Sequence, residues 1–438
     1  MMATARGLAA MVIERPLGWA AASAMTLAVA LVPLQAHAEP VAASLVSATL
    51  RDATPGGETL EPGLAAMLDD VRAEARAAGV TSATLERAFA GLSPDPSLHV
   101  LLERQPEHVM APWDYMGRLV SETRIAEGRR MLAVHAATLG AIERRYGVDR
   151  HIVVAIWGVE SSYGTISGTR PVVRSLATLA MADNRRPGFW RKELVAALRI
   201  LDETGVPRDE LTGSWAGAMG HTQFMPTTFL AHAVDFDGDG RRELWRSIPD
   251  ALASTAAYLA SSGWRSGEPW GAEAVLPAGF DYRMAVARVV HPVAGWEALG
   301  VVPAAGTQWP PGLAAASILL PAGMHGPAFL AAPNFQAILR YNNASLYALA
   351  VGHLADRLAG RPGLAALWPT HDPPLDLAGR REVQERLLAA GHDVGKVDGI
   401  LGDASRSALG LWQARQGSAA DGWAGTRLLE RMRAAAAQ

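Results

Sequence analysis

One stretch constrains this chain more than any other: Ile152-Val-Val-Ala-Ile-Trp-Gly-Val-Glu-Ser-Ser-Tyr-Gly164. Its nearly unbroken apolar run predicts a buried helix. Val148 and Asp149 in front of it supply a hydrophobic staple and an N-cap, and Gly164 a stop. One acidic residue, Glu160, sits near the end. Helical spacing places it on the same face as Val153, Ile156 and Trp157. A carboxyl group on an apolar face loses hydration, which penalises its charged form and suits it to hold a proton for general-acid chemistry. The plain alternative is a buried ion pair, with Arg170, Arg174, Arg185 and Arg186 nearby in sequence.

Composition narrows the class. With 438 residues, half of them hydrophobic and 19% charged, the chain is long enough for two or three folded domains. A net charge of -3 creates no global field for nucleic acid or for an anionic membrane. The absence of cysteine excludes disulfides, thiolate catalysis, Cys-type metal sites and an acylated N-terminal Cys. Tryptophan (13) outnumbers Phe (8) and Tyr (7), which suits either sugar-ring stacking or core packing.

In chain order, Arg6 and Arg15 precede an apolar run up to Val32, and Ala36-His37-Ala38 offers a small-x-small cleavage site. Residues 1–38 therefore read as an export signal, its removal leaving a soluble protein without a membrane anchor. Residues 39–59 read as a flexible leader. Helical patterns begin near Leu60, and a long helix is expected over Met116–Tyr146, ahead of the Glu160 helix. Gly213-Ser-Trp-Ala-Gly-Ala-Met-Gly-His-Thr-Gln-Phe-Met-Pro226 is too glycine-rich for a good helix and too apolar for a solvated loop. Its small residues suit a backbone lying against something flat, or tight helix packing.

Asp235-Phe-Asp-Gly-Asp-Gly240 puts Asp235, Asp237 and Asp239 at the first, third and fifth positions of an EF-hand-like loop. Arg246 occupies the place of the usual closing glutamate, so Glu243 and Asp250 are candidates to complete the shell. The implied ion is a structural Ca²⁺; the alternative is a capped acidic turn. No cofactor is expected for catalysis. Residues 270–332 alternate like strands, including Met284–Val290, and read as a β-rich insertion. Helix resumes at Asn334. A proline-rich linker over 361–375 leads to a unit, 376–438, in which Asp398-Gly-Ile-Leu-Gly402 and Asp421-Gly-Trp-Ala-Gly425 repeat one turn. The overall expectation is a mainly α (α+β) chain.

These motifs, in this order and with Asn334-Phe and Arg340-Tyr-Asn342 behind them, resemble the membrane-type lytic murein transglycosylases of the B class. The resemblance implies a goose-lysozyme-like catalytic domain over 60–360, carrying the small β-rich insertion. The last 60 residues or so resemble a three-helix peptidoglycan-binding module. It implies that Glu160 is the single acid/base. Glu160 would protonate the glycosidic oxygen between N-acetylmuramic acid and N-acetylglucosamine, then take the proton of the muramyl C6 hydroxyl as that oxygen attacks C1. The product would be a 1,6-anhydromuramyl end.

By the same resemblance Tyr115, Ser214, Gln223 and Phe224 line the glycan cleft, Tyr341 and Asn342 face the carboxylate, and Arg185 or Arg186 meets the peptide stem. The Ca²⁺ ligands it implies are Asp235, Asp237, Asp239 and Asp250 with the carbonyl of Arg241. Expected partners are peptidoglycan glycan strands, met in the periplasm by a monomer. A lyase without a second carboxylate fits a substrate that supplies its own nucleophile, since ordinary glycosidases need two. A water-using muramidase and a non-catalytic wall-binding scaffold are the competing functions.

Overall fold

The structure, a computed structural model, describes residues 62–98, 110–183, 186 and 188–435. The expected export signal, the leader and Arg185 lie outside the described residues. Among the described residues, no helix is long and apolar enough to cross a membrane.

The central helix runs Arg150–Ser161, and every residue from Ile152 to Ser161 is buried. Asp149 caps it, accepting the His151 amide at 2.7 Å. The helix ends three residues before the glycine expected to stop it. Ser162 (φ 47°) and Tyr163 (φ 60°) take left-handed backbone that glycine would ordinarily adopt. Tertiary contacts hold them there: the Tyr163 hydroxyl donates to the Arg124 carbonyl at 2.8 Å, and its ring covers Gly158, where a Cβ would lie 2.6 Å from it.

The helix packs against Ser345–Leu358 on one side and Glu122–Val134 on another. Here the sequence expectation of one long helix is corrected. Met116–Tyr146 falls into three pieces: Pro112–Leu119, Glu122–Val134 and Ala136–Tyr146. Ser121 restarts the chain as an N-cap for the Arg124 amide, and His135 breaks it again. Neither break carries a Pro or Gly, so periodicity alone runs through both.

A second lobe gathers Pro62–Ala77, Ser82–Phe89, Val172–Ala182, Phe189–Thr204 and Pro226–His232 around Trp190, Phe224 and Phe229. Tyr258 and Tyr341 pack against both lobes and mark the seam. The glycine-rich segment crosses that seam as irregular backbone. It starts from a two-stranded ladder, β1 (Arg170–Pro171) with β2 (Thr212–Gly213), and Met219 bridges to both Gly213 and Phe224.

The insertion is a five-stranded antiparallel sheet of β3 (Gly271–Val275), β4 (Val290–Pro292), β5 (Val302–Pro303), β6 (Ala315–Leu319) and β7 (Ala328–Ala331), in the order β4-β6-β7-β3-β5. Trp296 fills its core and donates to the Ala316 carbonyl at 2.8 Å. The strand expected over Met284–Val290 is instead a short helix, Arg283–Val286, with β4 starting at Val290. Asp281, just ahead of that helix, accepts the Arg283 amide at 3.1 Å.

The linker is laid onto the protein. The amides of Ala365 and Ala366 each donate to the Glu273 carboxylate at 2.8 Å, while Leu364 and Trp368 pack on the central core. Beyond it, Leu377–Ala389, Asp403–Arg415 and Thr426–Ala435 enclose a small core of Val383, Leu387, Leu409, Trp412 and Leu428. The repeated turn has a repeated mechanism: Gln384 Oε1 accepts the Gly399 amide at 2.7 Å and Gln413 Oε1 accepts the Gly422 amide at 2.9 Å. Asp421 also reaches the insertion, accepting the Met324 amide at 2.9 Å.

Candidate active site

Glu160 lies on the last turn of its helix and is 4% exposed. A tyrosine holds it: the Tyr347 hydroxyl donates to Glu160 Oε1 at 2.5 Å. Tyr347 is itself fully buried in the central core. Burial first, and the nearby Glu160 charge second, push the Tyr347 phenol well above its ordinary range, so it stays protonated and donates. Tyr341 is shifted the same way by burial and then by Glu160. A buried phenol needs a hydrogen-bond partner, and Glu160 supplies it; Tyr347 went unmarked in the sequence because 187 positions separate the two.

Of the arginines offered as ion-pair partners, the described Arg170, Arg174 and Arg186 are engaged elsewhere. Arg170 pairs with Asp95. Arg174 donates to the carbonyls of Ser93 and Pro94. Arg186, exposed, lies over the Phe189 ring at 5.7 Å.

The glycine-rich segment meets Tyr341. Tyr341 donates to the Thr222 carbonyl at 2.5 Å. Gln223 has φ 53°, and its Nε2 donates to the carbonyls of Gly220 (2.8 Å) and Ser167 (3.0 Å). Those two bonds fix the amide, leaving Oε1 buried and without a partner among the described residues, as is Thr222 Oγ1. Unpaired buried acceptors of this kind have an outstanding requirement for a donor.

Other expected site residues divide by environment. Ser214 Oγ accepts the Ala218 amide at 3.0 Å and so pins the segment's own turn. Phe224 is buried, against Tyr341 at 5.8 Å and Tyr258 at 6.0 Å. Tyr115 is buried in the central core, close enough to act electrostatically on Tyr347. Asn342, half-buried, ends the Pro333–Tyr341 helix. A separate cleft of about 480 Å³ opens between residues 277–283 and 418–420; none of the residues above lines it.

The acidic loop brings Asp235, Asp237 and Asp250 together, with carboxylate oxygens within 4.8 Å of one another. Asp250 is fully buried and takes the place that Arg246 leaves open. Its Oδ1 accepts the Phe236 amide at 2.7 Å and the Asp237 amide at 3.3 Å, and its Oδ2 the Glu243 amide at 3.0 Å. Asp239 is exposed, accepts the Arg241 amide at 2.8 Å and does not join the cluster. Three converging carboxylates offer hard oxygens that fit a Ca²⁺ better than a softer metal.

Residues 63–356 match the model of the Transglycosylase SLT domain, and 377–432 that of a peptidoglycan binding domain. The chain is 36% identical over 222 residues to membrane-bound lytic murein transglycosylase B of Escherichia coli (strain K12); that match covers 49% of this chain and 58% of the relative. Among solved structures it is similar to SltB3 from Pseudomonas aeruginosa, in complex with NAG-anhNAM-pentapeptide. There the identity is 48%, the TM-score 0.81, and the coverage 85% of this chain and 100% of that one. The E. coli lytic transglycosylase Slt35 in complex with calcium is 28% identical with a TM-score of 0.58, over 68% of this chain and 93% of that one.

Proposed function

Because the chain belongs to the Transglycosylase SLT family, we infer that it is a peptidoglycan lytic transglycosylase with Glu160 as its acid/base. The observation that carries this reading is the buried Glu160 carboxyl with one oxygen fixed by Tyr347. Holding Oε1 sets the plane of the carboxyl and so the direction in which it delivers a proton.

The proton goes from Glu160 to the oxygen between the muramyl and glucosaminyl residues, and the C1–O bond breaks. The muramyl C6 hydroxyl then attacks C1, and its proton returns to Glu160. One carboxyl group serves both transfers and no water is consumed. Gln223 Oε1 and Thr222 Oγ1, without partners among the described residues, serve as an acceptor and a hydroxyl for the polar groups of the sugar; an unmet buried polar group rewards a ligand that supplies its partner. Tyr341, which donates to the Thr222 carbonyl, and Asn342 beside it in the chain serve the same sugar.

Asp235, Asp237 and Asp250 hold a structural Ca²⁺ that ties the loop to the Ile248–Ser261 helix. Residues 60–360 form the catalytic unit. The module at 376–438 holds peptidoglycan strands against it, and the protein works as a monomer in the periplasm.

The test is mass spectrometry of digested sacculi, with Glu160→Gln as control. Anhydromuramyl ends from the wild type, and none from the variant, support the reading. Reducing muramyl ends establish a water-using muramidase instead. Full turnover by Glu160→Gln sinks the role of Glu160.

A further inference from the structure

His221 touches the Glu160 helix at two places and the turn after it at a third. Trp157, three residues before Glu160, donates from Nε1 to His221 Nδ1 at 3.1 Å. Ser161, the next residue after Glu160, donates from Oγ to the His221 carbonyl at 2.5 Å. Gly164 lies against the imidazole so closely that a Cβ there would stand 2.1 Å from Nδ1. On its other side the His221 amide donates to the Leu244 carbonyl at 2.8 Å, which anchors the residue in the second lobe. The histidine is therefore a clamp between the glycine-rich segment and the turn that carries the acid.

We propose that His221 is a positioning residue for Glu160, acting through its neutral Nδ1 acceptor on Trp157. This rests on the function inferred above. Trp157 is buried, with His221 at 5.7 Å and His135 at 5.6 Å, both edge to face. It stands one helical turn from Glu160, so a change in the angle of its indole is passed to the carboxyl. Because Nδ1 accepts, the neutral ring keeps its proton on Nε2. Protonating Nδ1 would set two N–H groups against each other and open the contact.

The groups acting on His221 favour the neutral ring. Burial, and after it the neighbouring His135, hold its pKa below the ordinary histidine range. His135 is lowered in turn by burial and by Arg130. The clamp is therefore closed at neutral pH and opens only in acid.

The experiment measures kcat and KM for release of anhydromuramyl ends across pH, with melting temperature and sacculus binding alongside, for wild type, His221→Asn and His221→Ala. Asn offers an amide oxygen near the Nδ1 position but does not titrate. The expected result is that Ala lowers kcat by about tenfold or more with KM little changed, the mark of a contact that acts in the transition state. Asn is expected to recover most of the rate and to lose the acid limb of the wild-type kcat profile.

A folded Ala variant within about twofold of wild-type kcat overturns the proposal. So do Ala and Asn variants that are equally impaired. Should Ala not fold, the Asn acid limb decides, and a limb coincident with the wild type's overturns it. A wild type that releases no anhydromuramyl ends counts against the inferred function rather than against His221.

Discussion

The Tyr347 hydroxyl and Glu160 Oε1 meet at 2.5 Å although 187 positions separate them in the chain. The helix Ser345–Leu358 lies along the Glu160 helix, and its first turn brings the phenol level with the last turn of its neighbour. Tyr347→Phe keeps the ring and its packing and removes only the hydrogen bond. Such a bond to a charged group contributes about 1.5–3 kcal/mol. If the loss falls on the transition state, kcat drops roughly ten- to hundredfold. Turnover of sacculi at saturating substrate checks this, and an unchanged kcat would show that Glu160 needs no such support.

The same helix carries two groups with opposite pH dependence, His353, buried, and Asp356, half-buried. Burial, and then Arg357, lower His353 from 6.5 to about 4. Its neutral form belongs to the fold, so its contribution is full above pH 6.5 and is lost as pH falls towards 4. Asp356 is raised from 3.8 to about 6, chiefly by burial, against the opposing pull of Arg361. Its protonated form belongs to the fold, so its contribution grows as pH falls from 6 to 4. Each amounts to about 3 kcal/mol and the two nearly cancel. His353→Gln leaves Asp356 unopposed: its stability relative to wild type should rise by about 3 kcal/mol between pH 6.5 and 4. Urea unfolding at both pH values measures the difference, and a constant offset would refute it.

Asp250 is the residue on which the acidic loop depends. Replacing it with Ala strands three amide donors, those of Phe236, Asp237 and Glu243. At about 1–3 kcal/mol for each unmet group, the cost is roughly 3 kcal/mol or more. Asp239→Ala, outside the cluster, should cost far less. Chelation should also lower the melting temperature of the wild type, since an ion at a hundred times its Kd stabilises by about 2.7 kcal/mol. Melting curves with and without EDTA and Ca²⁺ test this; no shift would leave a capped acidic turn.

Glu273 holds the linker by two amides. Glu273→Ala removes both acceptors and should expose 361–370 to proteases, while cleavage of short glycans continues. Limited proteolysis followed by mass mapping reads this directly. A digestion pattern identical to wild type would mean that Leu364 and Trp368 hold the linker without help.

Much of the site was legible in the residues themselves. The Glu160 helix, its Asp149 cap and its apolar face follow from spacing and capping chemistry, which are local. The repeated Asp-Gly turns and the Asp235–Asp239 loop were equally plain, because their aspartates accept amides two to five residues on, although Gln384, Gln413 and Asp250 hold them from farther along the chain. The His221 clamp was not legible, because it joins two lobes and no motif marks it.

Local periodicity, caps and turn residues thus determined which segments are helical, where the acid lies and which loop gathers carboxylates. Only the tertiary structure decided that Tyr347 would be its partner, that helix would end at Ser161, ahead of Gly164, that 116–146 would break twice, and that the linker would lie on Glu273. These contacts join residues far apart in sequence, and packing energy from one segment overrides the backbone preference of another. No window of sequence contains both sides of that balance.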